Sequence, residues 1–227
     1  MPPYRWLFFD ADDTLFDYDL AEAAALRRTF ADSALPFDEA YGPLYQRINS
    51  AIWRRFEAGL ITSETLRVER WSALFAEAGI TADAAAFSEC YLGNLAQCTD
   101  LTRDALEVVQ ALAPRYQLAI ITNGLKQVQR PRLARSAVGP YFSVLAISEE
   151  IGAAKPDPRF FDAAFALAGQ PARSEVLVIG DSLTSDIRGG LNYGLDTCWY
   201  NHKGLPADPT CPSRYEIAHL KELLVLL

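Results

Sequence analysis

An α/β fold built on a parallel sheet, with a helical domain inserted after its first strand, is predicted by three features of this 227-residue chain. Five short apolar runs recur: Trp6-Leu7-Phe8-Phe9, Leu118-Ala119-Ile120-Ile121, Val144-Leu145-Ala146-Ile147, Val176-Leu177-Val178-Ile179 and Thr197-Cys198-Trp199-Tyr200. They read as strands buried on both faces, with helical patterns between the later ones. Each run passes directly into polar or glycine-rich residues, and those junctions mark the carboxyl ends where parallel sheets bind ligands. From about Leu20 to Ala96 the chain shows helical periodicity and no convincing strand. The expected organisation is a core formed by residues 1–17 and 98–227 with a helical insert at 18–97.

Within the insert, Tyr41, Leu44, Tyr45, Ile48, Ile52 and Phe56 form one apolar stripe. A second helix is opened by Thr62, lined by Leu66, Arg70, Leu74 and Ala78, and closed by Gly79. Phe87, Tyr91 and Leu95 mark a further helix after a Thr81 cap, and the stripes together predict a four-helix bundle. In the core, Pro131 stands where a helix is due over residues 127–137. Proline suits a helix start and costs about 3 kcal/mol in an interior, so the expected helix begins near Arg130 or breaks there.

Half of the residues are apolar and the formal charge is −8, which disfavours a nucleic-acid polymer or an acidic membrane as partner. A local cationic pocket can still hold one small phosphate. Only four apolar residues precede Asp10 in an unbroken run, too few for a signal peptide, and no stretch reaches the ~20 apolar residues of a membrane span. The expectation is a cytoplasmic protein, monomer or homodimer, acting on small molecules. Cys90, Cys98, Cys198 and Cys211 form no CxxC pair and the histidines are two, so zinc-type clusters are not expected and the thiols read as inert.

The chemistry is concentrated at the strand ends. Asp10-Ala11-Asp12-Asp13-Thr14 places two carboxylates two residues apart, on one side of an extended chain, and like charges so close need a cation or a shared proton. Thr122-Asn123-Gly124 offers a hydroxyl, an amide and free backbone N–H groups to an anionic oxygen. Lys155-Pro156 supplies an ammonium able to neutralise developing charge. Gly180-Asp181-Ser182, with Asp186 five residues beyond Asp181, adds carboxylates that complete a hard-cation site with Asp10; a helix-capping role suits Asp186 and Ser185 better than Asp181.

In this order, DADDT, ITNG, KP and GDS-x-x-x-D resemble the four signature segments of the haloacid dehalogenase (HAD) superfamily. The resemblance implies a HAD-like modified Rossmann core, a helical cap inserted after the first strand, and Mg²⁺-dependent phosphoryl transfer through an aspartyl-phosphate. It assigns Asp10 as nucleophile and Asp12 as general acid and then base, with Thr122, Asn123 and Lys155 at the phosphate. The metal would be held by Asp10, the Asp12 backbone carbonyl and Asp181, with Asp186 supporting it from behind; Asp13 receives no role.

FFDADDTLF, the stretch Trp53 to Thr62, ISEEIGAAKPDPRFF and GDSLTSDIRGGLNYGLDTCWYN further resemble the bacterial house-cleaning pyrimidine 5′-nucleotidases. That implies hydrolysis of a nucleoside monophosphate, with Trp53 and Arg70 as candidates for contacting the base. The alternatives are a phosphatase for another small metabolite such as a sugar phosphate or phosphoglycolate, then a phosphomutase, a haloacid dehalogenase or a non-catalytic phosphate-sensing domain. Asp12 argues against a dehalogenase, whose resemblance implies no acid at that position.

Overall fold

Leu7 and Phe9 pack into one hydrophobic core and Phe8, between them, into another. That alternation places the first strand, β1 (Trp6–Phe9), in the middle of a sheet covered on both faces. The computed structural model describes residues 4–227. Its other strands are β2 (Gln117–Thr122), β3 (Val144–Ile147), β4 (Val176–Gly180), β5 (Asp196–Tyr200) and β6 (Tyr215–Ile217). All pair in parallel, in the order β3-β2-β1-β4-β5-β6. β1 lies between β2 and β4, so successive connections turn to opposite sides of it, and the reversal opens a crevice at their carboxyl ends.

One face is covered by α5 (Ala105–Leu112) and α9 (Leu223–Leu226), where Val108, Val109, Leu112 and Leu223 meet Leu118, Ile120, Leu177 and Ile179. On the other face α8 (Pro158–Leu167) sets Phe160, Phe161 and Phe165 against Phe8, Ile121 and Val178. Each fully buried Leu, Val or Phe contributes about 1.5–3 kcal/mol, and this double layer holds the strand ends in register.

The chain divides into two compact units. The sheet unit comprises residues up to Tyr18, Thr99–Lys126 and Leu133–Leu227; the helical unit comprises Asp19–Cys98 and Gln127–Arg132. The helical stretch contains α1 (Tyr18–Asp32), α2 (Tyr41–Glu57), α3 (Ser63–Ala78) and α4 (Ala84–Leu95). Its interior is aromatic: Tyr45 stacks on Trp71 with ring centroids 4.5 Å apart, and Phe87 and Tyr91 pack edge-on or tilted around that pair. Thr62 caps α3 by accepting from the Thr65 N–H, and Gly79 ends it at φ 66°.

Two expectations require correction. α4 is capped by Asp83, which accepts from the Ala85 and Ala86 N–H groups, rather than by Thr81; a carboxylate at that position serves two orphan donors at once. Helix α6 (Lys126–Arg135) neither begins near Arg130 nor breaks there, and carries Pro131 in its interior. Proline cannot serve the Gln127 carbonyl, and tertiary contacts offset the loss. The Gln127 side chain donates to Glu89 and accepts from Arg67, while buried Arg132 donates from Nε to the Cys98 carbonyl at 2.9 Å. After β6 the chain makes a single 3₁₀ turn at Leu220–Glu222 and passes into α9.

Candidate active site

β1 delivers Asp10 to the crevice, and the Asp10 N–H donates to the Ile179 carbonyl of β4 at 2.8 Å, extending the ladder one residue past the strand. Its carboxylate meets the Lys155 ammonium at 2.6 Å. Lys155 is buried, and its Nζ also donates to Asp186 at 2.6 Å and to the Ile121 carbonyl of β2 at 2.7 Å. Three donors therefore have three acceptors, and the ammonium pins two carboxylates to the end of β2.

Asn123 is committed elsewhere than its sequence position suggested. Its Nδ2 donates to the Lys155 carbonyl at 2.9 Å and its Oδ1 accepts from the Lys155 N–H at 2.8 Å. The amide thus clamps the Lys155 backbone instead of turning both ends to a phosphate. Ser148, at the start of the short helix α7 (Ser148–Ile151), donates to the Asn123 carbonyl and steadies the clamp. Thr122 is buried, and its hydroxyl accepts from the Gly124 N–H at 3.0 Å, closing the turn after β2.

Beyond β4, Ser182 caps the one-turn π-helix Leu183–Ile187 by accepting from the Ser185 N–H. The capping role is therefore Ser182's, not that of Asp186 or Ser185. Asp186 is fully buried; one oxygen takes Lys155 and the other takes the Ser182 N–H at 3.1 Å. Gly180 permits this approach, since a Cβ there would lie 2.3 Å from the Asp186 Oδ2. The Asp181 carbonyl accepts from the Trp199 indole N–H at 2.8 Å, and its carboxylate from the Thr14 hydroxyl at a long 3.4 Å.

Ligand oxygens of Asp10, Asp181 and Asp186 all lie within 4.8 Å of one another. Three carboxylates face one ammonium. Burial, above all, pushes the Asp10 carboxyl well above its ordinary range; Lys155 pulls it down, and Asp186, Asp181 and Asp12 push it up. Asp181 is pushed up to about 8 by burial, then by Asp186 and Asp13. Burial alone would lower the Lys155 pKa, but Asp10 and Asp186 together raise it, so the ammonium stays charged. This is the electrostatic form of a site built for a divalent cation: oxygen donors only, an excess of negative charge, and carboxyls that are costly to ionise without a further positive charge.

Asp12, half-buried, forms a bridge with Phe16 and lies close enough to act on the Asp10 carboxyl. In the helical unit, Trp53 is half-buried with its ring edge-on to Phe56 at 5.5 Å. Arg70 is enclosed: 1% exposed, 5.2 and 5.3 Å above the Trp71 and Tyr91 rings, and donating to Asn49 at 3.3 Å. That placement argues against the base contact for which a cationic side chain in the helical insert was a candidate, because Arg70 lies among the aromatic rings inside the helical unit. The residues the motif reading missed are supports: Thr14 stands inside DADDT, and Gly180 and Ser182 flank Asp181. Ser148 and Trp199 carry no signal in the chain order.

The haloacid dehalogenase-like hydrolase family matches the chain over residues 4–194. The HAD-hydrolase YfnB of Bacillus subtilis is 39% identical over 100% of this chain and 97% of its own. Its magnesium-bound crystal structure superposes with a TM-score of 0.93 over 99% of this chain and 98% of that one. The pyrimidine 5′-nucleotidase YjjG of Escherichia coli is 38% identical over 99% of this chain and 98% of its own. The pyrimidine 5′-nucleotidase PynA of Streptococcus pneumoniae is 35% identical over 97% and 94%. Four motif segments converging on one crevice, and full-length similarity to these proteins, agree: the chain belongs to the haloacid dehalogenase-like hydrolases and is an enzyme of their phosphatase type.

Proposed function

We propose that this enzyme is a Mg²⁺-dependent 5′-nucleotidase that hydrolyses pyrimidine nucleoside monophosphates through an aspartyl-phosphate. The observation that carries the chemistry is the convergence of Asp10, Asp181 and Asp186 around the buried Lys155 ammonium. The substrate class rests on full-length similarity to two pyrimidine 5′-nucleotidases.

The acidic set fits a magnesium ion. Asp10 and Asp181 offer carboxylate oxygens and Asp12 its backbone carbonyl, while Asp186, whose two oxygens are held by Lys155 and Ser182, supports from behind. When bound, the ion supplies charge neutralisation between the phosphate dianion and the attacking carboxylate. The Asp10 carboxylate attacks phosphorus and the ester P–O bond breaks. Asp12 gives its proton to the departing nucleoside oxygen. Asp12, now a carboxylate, takes a proton from water, which attacks the aspartyl-phosphate and releases phosphate with Asp10 restored. Lys155 holds Asp10 in line and offsets charge on the phosphoryl oxygens; Thr122 supports the turn that receives them, and Asn123 acts by fixing Lys155. The helical insert, residues 18–97, serves as the cap that selects the leaving group, with Trp53 as its candidate aromatic contact.

The test is Mg²⁺-dependent phosphate release from purine and pyrimidine 5′-monophosphates and sugar phosphates, with Asp10→Asn as background. Preference for pyrimidine monophosphates is expected. A sugar phosphate turned over faster than every nucleotide would overturn the substrate and keep the chemistry; no release from any ester would overturn both.

A further inference from the structure

Behind β5 the chain makes a turn that is closed more firmly than its exposed position requires. The Asn201 side chain accepts from the Leu205 N–H at 2.8 Å, and donates to the Leu205 carbonyl at 2.9 Å and to Glu216 at 2.7 Å. The Asn201 N–H donates to the Ile217 carbonyl at 2.8 Å, and Gly204 completes the turn at φ 63°. Lys203 sits within it. Its ammonium reaches back 190 positions in sequence to Asp13, Nζ to Oδ2 2.9 Å.

Asp13 is the neighbour of Asp12 and holds a left-handed backbone at φ 59°. Its N–H donates to the Phe16 carbonyl at 2.8 Å, across the same small loop in which Asp12 bridges Phe16. A non-glycine residue in that conformation costs about 1 kcal/mol or more and persists where its surroundings over-determine it. A half-exposed ion pair adds little stability by itself, about 0–1 kcal/mol. Its value here is geometric: the pair is a side-chain tie between the turn held by Asn201 and the loop carrying Asp12.

We propose that Lys203 is a positioning residue, acting through Asp13 to hold Asp12 where it can deliver a proton to the leaving oxygen; this rests on the phosphatase mechanism above. An alkoxide leaving group needs that proton, whereas p-nitrophenolate leaves without it. Because kcat/KM covers the steps up to aspartyl-phosphate formation, the two leaving groups separate the acid step from the rest.

The experiment measures kcat and KM of the full-length Mg²⁺-loaded enzyme and of Lys203→Met, Lys203→Arg, Asp13→Asn and the Asp13→Asn/Lys203→Met pair. The substrates are the nucleoside monophosphate or other alkyl phosphate the wild type prefers and p-nitrophenyl phosphate. Lys203→Met is expected to lower kcat/KM for the alkyl ester by about tenfold, a fraction of the range for general acid catalysis, and to leave p-nitrophenyl phosphate within about twofold. Lys203→Arg should restore most of the loss. Asp13→Asn should match Lys203→Met, and the double variant should be no worse than either. Equal losses on both substrates, additive losses, a rise in KM alone, or no loss would each overturn the proposal. A wild type inactive on every ester defeats the underlying mechanism instead, and an active wild type with an unaffected Lys203→Met defeats this proposal alone.

Discussion

Both units bury charge, and they do so in opposite ways. At the strand ends of the sheet unit, Asp10, Asp181 and Asp186 converge on a single ammonium. In the helical unit, Glu22, Asn49 and Arg70 form a chain in which one carboxylate answers one guanidinium: Asn49 donates to Glu22 at 3.1 Å and accepts from Arg70 at 3.3 Å. All three are at most 4% exposed, and the Arg70 guanidinium also lies against the Trp71 and Tyr91 rings. Among the described residues this helical cluster sets one carboxylate, through Asn49, against one guanidinium. The sheet site is unbalanced, three carboxylates to one ammonium, and burial first and neighbouring carboxylates second drive the Asp10 and Asp181 carboxyls up in pKa. Net charge within a buried polar cluster thus separates a site awaiting a cation from a site that organises a fold.

The sharpest break of this comparison is removal of charge from each side. Asp10→Asn should lower turnover by more than about a thousandfold, the scale of losing a nucleophile. Its thermal midpoint should be unchanged or higher, because it relieves an excess of negative charge. Phosphate release and a melting curve on the same sample check both. Arg70→Met should do the reverse, losing about 3 kcal/mol of stability by stranding polar groups in the helical interior. Denaturant unfolding reads this directly, and a stable Arg70→Met with selectively lost nucleotide turnover would return Arg70 to the substrate.

The charge imbalance also predicts linkage. Mg²⁺ at a hundred times its dissociation constant should stabilise the native enzyme by about 2.7 kcal/mol, a rise of roughly 5–10 °C in the melting midpoint. Asp181→Asn should abolish most of that response, whereas Arg70→Met should keep it. The smallest expected effect is local to the helical unit: Asp83→Ala removes the cap of α4 and should cost about 1 kcal/mol with no change in kcat. An equal loss from Thr81→Ala would contradict the assignment of the cap to Asp83.

Much of this architecture was readable in residue order, and the exceptions have physical causes. The runs that became β1 to β5 were visible because a parallel sheet covered on both faces needs unbroken apolar strands. β6 was not, since three residues, Tyr215-Glu216-Ile217, carry no such run and pair only with β5. Thr62 and Gly79 announced the ends of α3 through local chemistry, whereas Pro131 misled: a proline penalty of about 3 kcal/mol is a local quantity, and contacts of Gln127 and Arg132 with distant residues outweighed it. Among described residues no helix is long and apolar enough to cross a membrane, in line with the charge and hydropathy pattern.

The groups proposed to react lie in short motifs at strand ends, so chain order singles out Asp10, Asp12, Thr122, Lys155 and Asp181 as candidates once the strands and the resemblance of their motifs to the HAD signatures are recognised. What those groups are tied to is a different matter. That Asn123 grips the Lys155 backbone, that Asp186 spends both oxygens on Lys155 and Ser182, that Arg70 turns into an aromatic interior, and that Lys203 reaches Asp13 are facts of three-dimensional proximity. Periodicity and spacing describe which residues share a strand end or a helix face. Hydrogen bonds and ion pairs fall off within a few ångströms, so the choice among partners tens to hundreds of positions apart is made only when packing brings them together.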